Sequence, residues 1–433
     1  MKKKRQLFAL ADCNNFFVSC ERVFDPRLEG RPVIVLSSND ACIVSRSNEA
    51  KQLGVKMGVP LFQTRDITGH GKVSMLSANF TLYRDLSRRI THCFRQFCHD
   101  IEIYSVDEAF MTFPESDSRT IDTMIRNMRR TVLQWVGVPV SIGVAETKTL
   151  AKLAAEYAKK HPSTDGCFDL FSCSSDERDR VMEATPVDDI WGIGRQHTKW
   201  LNERDIKTAL QLRGINQDLF GRKAGVTGLR TVKELQGISC VPMEFDMPPR
   251  KDITCSRSFG KPVTELRELR EAIATFATHS GRELRHDGSQ TRCMTVYCGV
   301  KPSGSNPRTY VATTVGLSMP TDRDSDLIRA ALTGLEKIYR PGLSYCKGGV
   351  TLHELSRANV RQTDIFAPEA DEGERPRKLN DLVDHLNAHW GYGTIRYAAT
   401  GAHGGWQPKS IWRSPNYTTR WDELPVALAA SSR

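Results

Sequence analysis

The chain has 433 residues, of which 39% are hydrophobic and 26% charged, and a formal net charge of +10. That length exceeds what one hydrophobic core supports, so two to four domains are expected, and the composition excludes a disordered or fibrous protein. The charge favours a polyanionic partner such as nucleic acid. The twelve cysteines include no CxxC pair and no Cys/His cluster of the kind that binds zinc, and no run approaches the ~20 apolar residues of a membrane span. A cytoplasmic protein with reduced thiols is expected.

Residues 6–12 are short and apolar, and Phe16-Phe17-Val18 follows Cys13-Asn14-Asn15, which reads as a buried strand entering a helix. A second strand is expected over 32–37, after a Gly-Arg-Pro turn, and a short helix over 47–53. Between 79 and 97, Leu82, Leu86, Ile90, Phe94 and Phe97 recur at helical spacing. Residues 101–113 read as strands around a turn at Ser105-Val106-Asp107-Glu108. A helix over 120–135 then leads to a strand over 138–144. Strand, helix, strand, strand, helix, strand is the order of a ferredoxin-like α+β sheet.

An alanine-rich amphipathic helix is expected over 147–160. Short helices punctuated by glycine follow, with Gly192-Ile193-Gly194 between two of them in 188–212. Pro242, Pro248 and Pro249 mark a linker. Beyond it, strands over 252–260, 293–300 and 310–317 and helices over 265–285 and 326–339 form a second, smaller α+β domain. After Leu355 the chain is polar and Pro/Glu-rich, then aromatic and Gly-rich from Arg377.

Asp12 ends the first apolar strand, and Asp107-Glu108 occupy a hairpin turn about one hundred residues later. Neighbours on a regular strand point to opposite faces, so the two acids converge only if the turn bends the backbone. Three hard oxygen ligands suit Mg²⁺, which keeps waters and accepts substrate phosphates. Two such ions ~3.5–4 Å apart activate an attacking hydroxyl and stabilise a leaving group. The expected chemistry is metal-assisted phosphoryl transfer on nucleic acid.

Three blocks, Leu10-Ala11-Asp12-Cys13-Asn14-Asn15-Phe16-Phe17, Tyr104-Ser105-Val106-Asp107-Glu108-Ala109-Phe110 and the segment from Ser141 to Lys152, resemble the signatures of Y-family translesion DNA polymerases of the UmuC type. The resemblance implies a right-hand α+β multidomain enzyme that makes error-prone DNA in the SOS response. Its parts would be a ferredoxin-like palm (1–15 and 79–171), small fingers (16–78) and a helical thumb with a helix-hairpin-helix (172–240). A linker (241–249), an α+β little finger (250–355), a second linker (356–376) and a UmuC-type extension (377–433) would follow.

In that scheme Asp12 and Asp107 bridge two Mg²⁺ ions, Glu108 serves the primer 3′-hydroxyl, and the Cys13 carbonyl is a further ligand. Phe17 is the steric gate against a ribose 2′-hydroxyl, beside Phe16. Ser45, Lys51 and Lys159 hold the triphosphate, although the two lysines taken alone read as exposed residues on helices. Gly192 and Gly194 approach the DNA backbone without reading sequence. Arg257, Lys261, Arg285, Arg292 and Lys301 grip DNA from the little finger. Gln362-Thr363-Asp364-Ile365-Phe366 resembles the peptide that docks on the sliding clamp, through Gln362, Ile365 and Phe366. The aromatic tail, including Ser414-Pro415-Asn416-Tyr417-Thr418-Thr419-Arg420, either packs on the body or awaits a UmuD-type dimer with a RecA filament. Two rival readings are a nucleotidyl cyclase and a non-catalytic DNA- or clamp-binding subunit.

Overall fold

The structure, a computed structural model, describes residues 6–69, 71–245, 249–300, 309–358, 374–401 and 404–426. The chain divides into two compact units. The first comprises Met1–Leu36, Cys42–Met247 and Trp412–Arg433, and the second Ser37–Ala41 and Pro248–Ile411.

The first unit opens with β1 (Gln6–Cys13) and α1 (Phe16–Phe24). Asn15 joins them at φ 48°, ψ 44°, a left-handed conformation that asparagine tolerates better than most residues. β2 (Val33–Leu36), β3 (Ile43–Arg46), α2 (Asn48–Gln52), α3 (Arg65–Thr68) and β4 (Ser74–Ser77) follow. β2 pairs with β3 antiparallel and with β4 parallel. This small sheet covers its own core of Ile34, Leu36, Ile43, Ala50, Val55 and Val73.

The large sheet is completed by α4 (Phe80–Phe94), β5 (Ile101–Ile103), β6 (Glu108–Pro114), α5 (Ser118–Val136), β7 (Val140–Ala145), α6 (Lys148–Lys160) and β8 (Cys167–Asp169). Its strand order is β5-β6-β1-β7-β8, with β8 parallel to β7 and the other pairs antiparallel. The first four strands have the expected ferredoxin-like order, and β8 is added at the edge. Strand alternation sorts the core. The odd positions Leu7, Ala9 and Ala11 face α4 and α5, whereas Phe8, Leu10 and Phe110 pack with Leu150 and Ala154 of α6. Helices α7 (Ser175–Glu183), α8 (Arg195–Asn202), α9 (Ala209–Arg213) and α10 (Gln217–Leu235) close the unit. α10 breaks at Gly225, which has φ 67°.

The second unit is a sheet of order β11-β10-β12-β9 built from β9 (Ile253–Val263), β10 (Ser289–Val300), β11 (Thr309–Thr321) and β12 (Tyr345–His353). The short β13 (Ser356–Arg357) pairs with β10. Helices α11 (Leu266–His286) and α12 (Asp324–Ile338) bury Leu269, Ile273, Phe276, Leu327 and Leu335 against Met294, Val296, Cys298 and Val350. The other face is polar, with cross-strand pairs Thr254–Thr351 at 3.0 Å and Thr295–Thr314 at 2.8 Å, as expected of an antiparallel sheet open to water on one side. α13 (Glu374–Trp390) lies in the tail that the sequence showed only as polar and aromatic. Trp406 is buried against Phe259 and Phe276, with ring centroids 6.3 and 5.2 Å away.

Among the described residues no helix is long and apolar enough to cross a membrane.

Candidate active site

Asp12 and Glu108 are direct partners across the β1–β6 ladder, and residues opposed in an antiparallel pair share a face. By alternation Asp12 continues the Phe8–Leu10 face and Glu108 the Phe110 face, so both acids lie on the α6 side of the sheet. Asp107 is one residue outside the strand, in the turn. Ser105 makes that turn: its Oγ accepts from the amides of Asp107 and Glu108 at 3.2 and 3.0 Å and donates to Asp107 Oδ1 at 2.5 Å. The Cys13 amide donates to the Asp107 carbonyl at 2.9 Å, which ties the turn to the end of β1. The backbone therefore turns directly between Ser105 and Glu108.

α6 supplies the counter-charges. Lys159 Nζ lies 2.7 Å from Asp12 Oδ1, and Lys152 Nζ lies 2.7 and 2.9 Å from the two oxygens of Glu108. Burial raises the Glu108 carboxyl above its ordinary range; Lys152 offsets part of this, and Asp12 and Asp107 add to it. Burial would lower the Lys159 ammonium, but Asp12, with Glu156 and Asp107, outweighs it and holds the ammonium above its usual value. The Cys13 thiol is pushed well up by burial and then by Asp12 and Asp107.

Among the described residues, no three His, Cys, Asp or Glu side chains form a ready metal-binding group. The acids are engaged instead by Lys152, Lys159 and Ser105. Their chemistry still fits a hard divalent cation: three carboxylates stand at the adjoining ends of β1 and β6, and two of them already hold a positive charge.

A cavity of about 280 Å³ adjoins them, lined by Cys13, Phe16, Phe17, Ser45, Arg46, Lys51, Asp107, Glu156 and Lys159. It gathers the expected nucleotide residues from α1, β3, α2 and α6. Phe16 is core, 3% exposed, while Phe17 is half-buried and stacks on Tyr83 with centroids 4.5 Å apart and planes 13° apart. Ser45 is buried, with Oγ 3.4 Å from the Asn15 carbonyl. Lys51 Nζ lies 3.2 Å from Asn48 Oδ1, and burial, with Lys159 and Arg46 close by, lowers its ammonium.

Reading Lys159 as an exposed helix lysine is corrected by its ion pair with Asp12. Lys152 and Arg46 were not singled out from sequence. The seven-residue spacing of Lys152 and Lys159, two helical turns on one face, was a signal for the first. Arg46 had none: its Nε is buried without a hydrogen-bond partner, and its position follows only from pairing of β3 with β2.

Gly192 has φ 88°, and a Cβ there would stand 2.8 Å from Thr231 Oγ1. Gly194 caps α8 with nothing within 4 Å of where a Cβ would be, and Arg195 and Lys199 flank it in a shallow groove. The element before these glycines is a single 3₁₀ turn, Val187–Asp189, not the helix expected there. In the second unit Arg257 on β9 and Arg292 on β10 are exposed. Arg285 is not available to DNA: it is buried between Asp324 and Asp384, at 2.9 and 2.7 Å. Lys301 and the peptide with Gln362, Ile365 and Phe366 lie outside the described residues.

Residues 11–156 match the impB/mucB/samB family, residues 250–365 that family's C-terminal domain, and residues 377–427 a domain of unknown function. Protein UmuC of Salmonella typhimurium is 39% identical over 424 residues, covering 96% of this chain and 99% of that protein. The chain belongs to the impB/mucB/samB family. Protein SamB of Salmonella typhimurium, another relative in this UmuC-containing family, is 37% identical over 97% of the chain and 99% of its own length. DNA polymerase IV of Desulfatibacillum aliphaticivorans is 27% identical over 90% of the chain and 95% of its own length. A solved Y-family DNA polymerase chimera superposes with a TM-score of 0.62 at 20% identity, covering 81% of this chain and 99% of that one. The family member therefore has the Y-family polymerase fold, with palm, fingers, thumb and little finger.

Proposed function

We propose that the chain is a template-directed DNA polymerase that extends primers opposite damaged bases in the SOS response. The observation that carries this reading is one cavity lined by Arg46, Lys51, Lys159 and Asp107 together with Phe17. Three cations suit a triphosphate, a carboxylate suits the metal that accompanies it, and an aromatic ring suits a sugar lacking its 2′-hydroxyl.

Asp12, Asp107 and Glu108, with the Cys13 carbonyl, would hold two Mg²⁺ ions. When bound, such ions activate the primer 3′-hydroxyl and neutralise charge on the phosphates. The chain's own side chains do the rest. Lys51 and Arg46 orient the triphosphate by charge, and Ser45 presents a hydroxyl to it. Lys152 and Lys159 pair with Glu108 and Asp12 and hold the two side chains in place. Phe17 excludes ribose by bulk.

Gly192 and Gly194 admit the DNA backbone to the α8 N-terminus, and Arg257 and Arg292 meet phosphates from the second unit. The likeness to UmuC supports a UmuD-type dimer as partner; a sliding clamp at Gln362, Ile365 and Phe366 and a RecA filament are proposed from the sequence resemblance alone.

The test is Mg²⁺-dependent extension of a primed template by the full chain, assayed alone and with a UmuD-type dimer and RecA filament. Asp107→Ala should abolish extension while leaving DNA affinity within about 2-fold. Retained extension by that variant would overturn the assignment.

A further inference from the structure

The aromatic tail has a defined seat on the first unit. The Ser77 amide donates to the Trp412 carbonyl at 3.0 Å, the Trp412 amide donates to Ser77 Oγ at 3.0 Å, and Arg413 forms a parallel bridge with Ser77 at the end of β4. Asn79, fully buried, caps α4 through Oδ1 and donates through Nδ2 to Ser414 Oγ at 3.0 Å and the Pro415 carbonyl at 3.1 Å. Tyr417 stacks on Phe24 of α1, with centroids 4.8 Å apart and planes 6° apart. One short segment thus touches β4, α4 and α1.

Its buried end leads to the nucleotide cavity. Ser414 Oγ donates to Glu21 Oε1 at 3.1 Å, and Tyr83 Oη donates to the same oxygen at 2.7 Å. Glu21 is 1% exposed and Tyr83 fully buried. The Tyr83 ring is the platform on which Phe17 stacks. We infer that Ser414 of the tail is a positioning residue for Phe17, acting through Glu21 and Tyr83, so that residues 412–417 help set discrimination between deoxyribose and ribose.

The physical basis is the way Glu21 Oε1 is held, by the hydroxyls of Tyr83 and Ser414. A buried carboxylate needs its lone pairs satisfied, and the two hydroxyl donors fix where Oε1 sits. Without Ser414 Oγ, Glu21 Oε1 keeps Tyr83 as its hydroxyl donor and loses the second bond that fixes its position. The Tyr83 ring would follow its own hydroxyl, and the stacked Phe17 ring would lose its fixed backing. A gate acts through sub-ångström steric exclusion, so loosening it admits ribose and leaves the chemistry at the acids intact.

The inference rests on the polymerase reading, and its test separates the two. In full-chain Ser414→Ala, the ratio of kcat/KM for deoxynucleotides over ribonucleotides should fall by about 3- to 10-fold, the range set by one buried hydrogen bond. The kcat for deoxynucleotides should stay near that of the parent, and Ser414→Thr, which keeps the hydroxyl, should restore the ratio. An unchanged ratio in Ser414→Ala overturns the inference, as does an equal loss of kcat for both sugars. If the parent chain incorporates no nucleotide even with a UmuD-type dimer and RecA filament, the polymerase reading fails, and amide hydrogen exchange decides this one. Faster exchange over 16–24 in Ser414→Ala than in Ser414→Thr supports the coupling, and equal exchange removes it.

Discussion

Asp12 and Lys159 meet at 2.7 Å across the interface between β1 and α6, so an acid expected to hold metal is held by a lysine from the helix packed on its own face of the sheet. Replacing Asp12 with Asn removes a ligand charge and the lysine's partner together. Asp12→Asn should lower Mg²⁺-dependent primer extension by ~10³-fold or more, given the several kcal/mol such electrostatic contributions supply. Single-turnover extension on a primed template measures this, with circular dichroism to verify the fold.

Lys152 bonds both oxygens of Glu108, and the two side chains are 27% and 14% exposed. Removing the ammonium leaves a part-buried carboxylate beside Asp12 and Asp107. Lys152→Met should destabilise the metal-free protein by about 1–3 kcal/mol. Because a divalent cation would supply the missing charge, Mg²⁺ should raise the melting temperature of the variant more than that of the parent. Thermal melts with and without Mg²⁺ give both numbers.

Gly143 lets α6 lie against β7. A Cβ there would stand 2.0 Å from the Ala155 amide nitrogen and 2.5 Å from the Ala151 carbonyl oxygen. Since α6 carries Lys152 and Lys159, Gly143→Ala must push that helix away from the acids. Destabilisation of at least ~3 kcal/mol and loss of primer extension are expected, measured by chemical denaturation and the extension assay.

His279 of α11 offers a pH test in the second unit. Burial, aided by Arg282 and Arg257, pushes the imidazole down from 6.5 to about 4, while Glu283 acts weakly the other way. A histidine depressed in the folded state contributes stability that is present above pH 6.5 and lost as pH falls toward 4. Between pH 7 and 4 the parent should lose ~1–3 kcal/mol more than His279→Gln. Urea denaturation at several pH values, followed by a probe in the second unit, measures the difference.

The palm was the most legible part of the sequence because period and burial agree there. Leu7 to Ala11 are all buried, and α4 and α5 carry clear apolar stripes. The three acids were visible because carboxylates at the ends of apolar strands are costly unless they have a task. β12 was missed because Gly348 and Gly349 interrupt its apolar run. Those glycines exist for packing, since Cβ atoms there would meet Phe259 at 2.9 Å and Tyr297 at 2.6 Å. α10 was hidden by Gly221, Gly225 and Gly228, and α13 by its exposed Leu379 and Leu382, which give no stripe to read.

The charges of Lys159 and Arg285 were legible, but their partners were not. Asp12 lies 147 residues from Lys159, and Asp384 lies 99 from Arg285. Only the folded chain shows that one lysine guards an acid and that one arginine is sealed in a core.

The seat of Ser414 on Asn79 also has a consequence in time. The two residues are 335 positions apart, so at ~5–20 residues per second a ribosome adds Ser414 roughly 20–70 s after Asn79. A first unit that folds within that interval does so without the hydroxyl of Ser414 on Glu21.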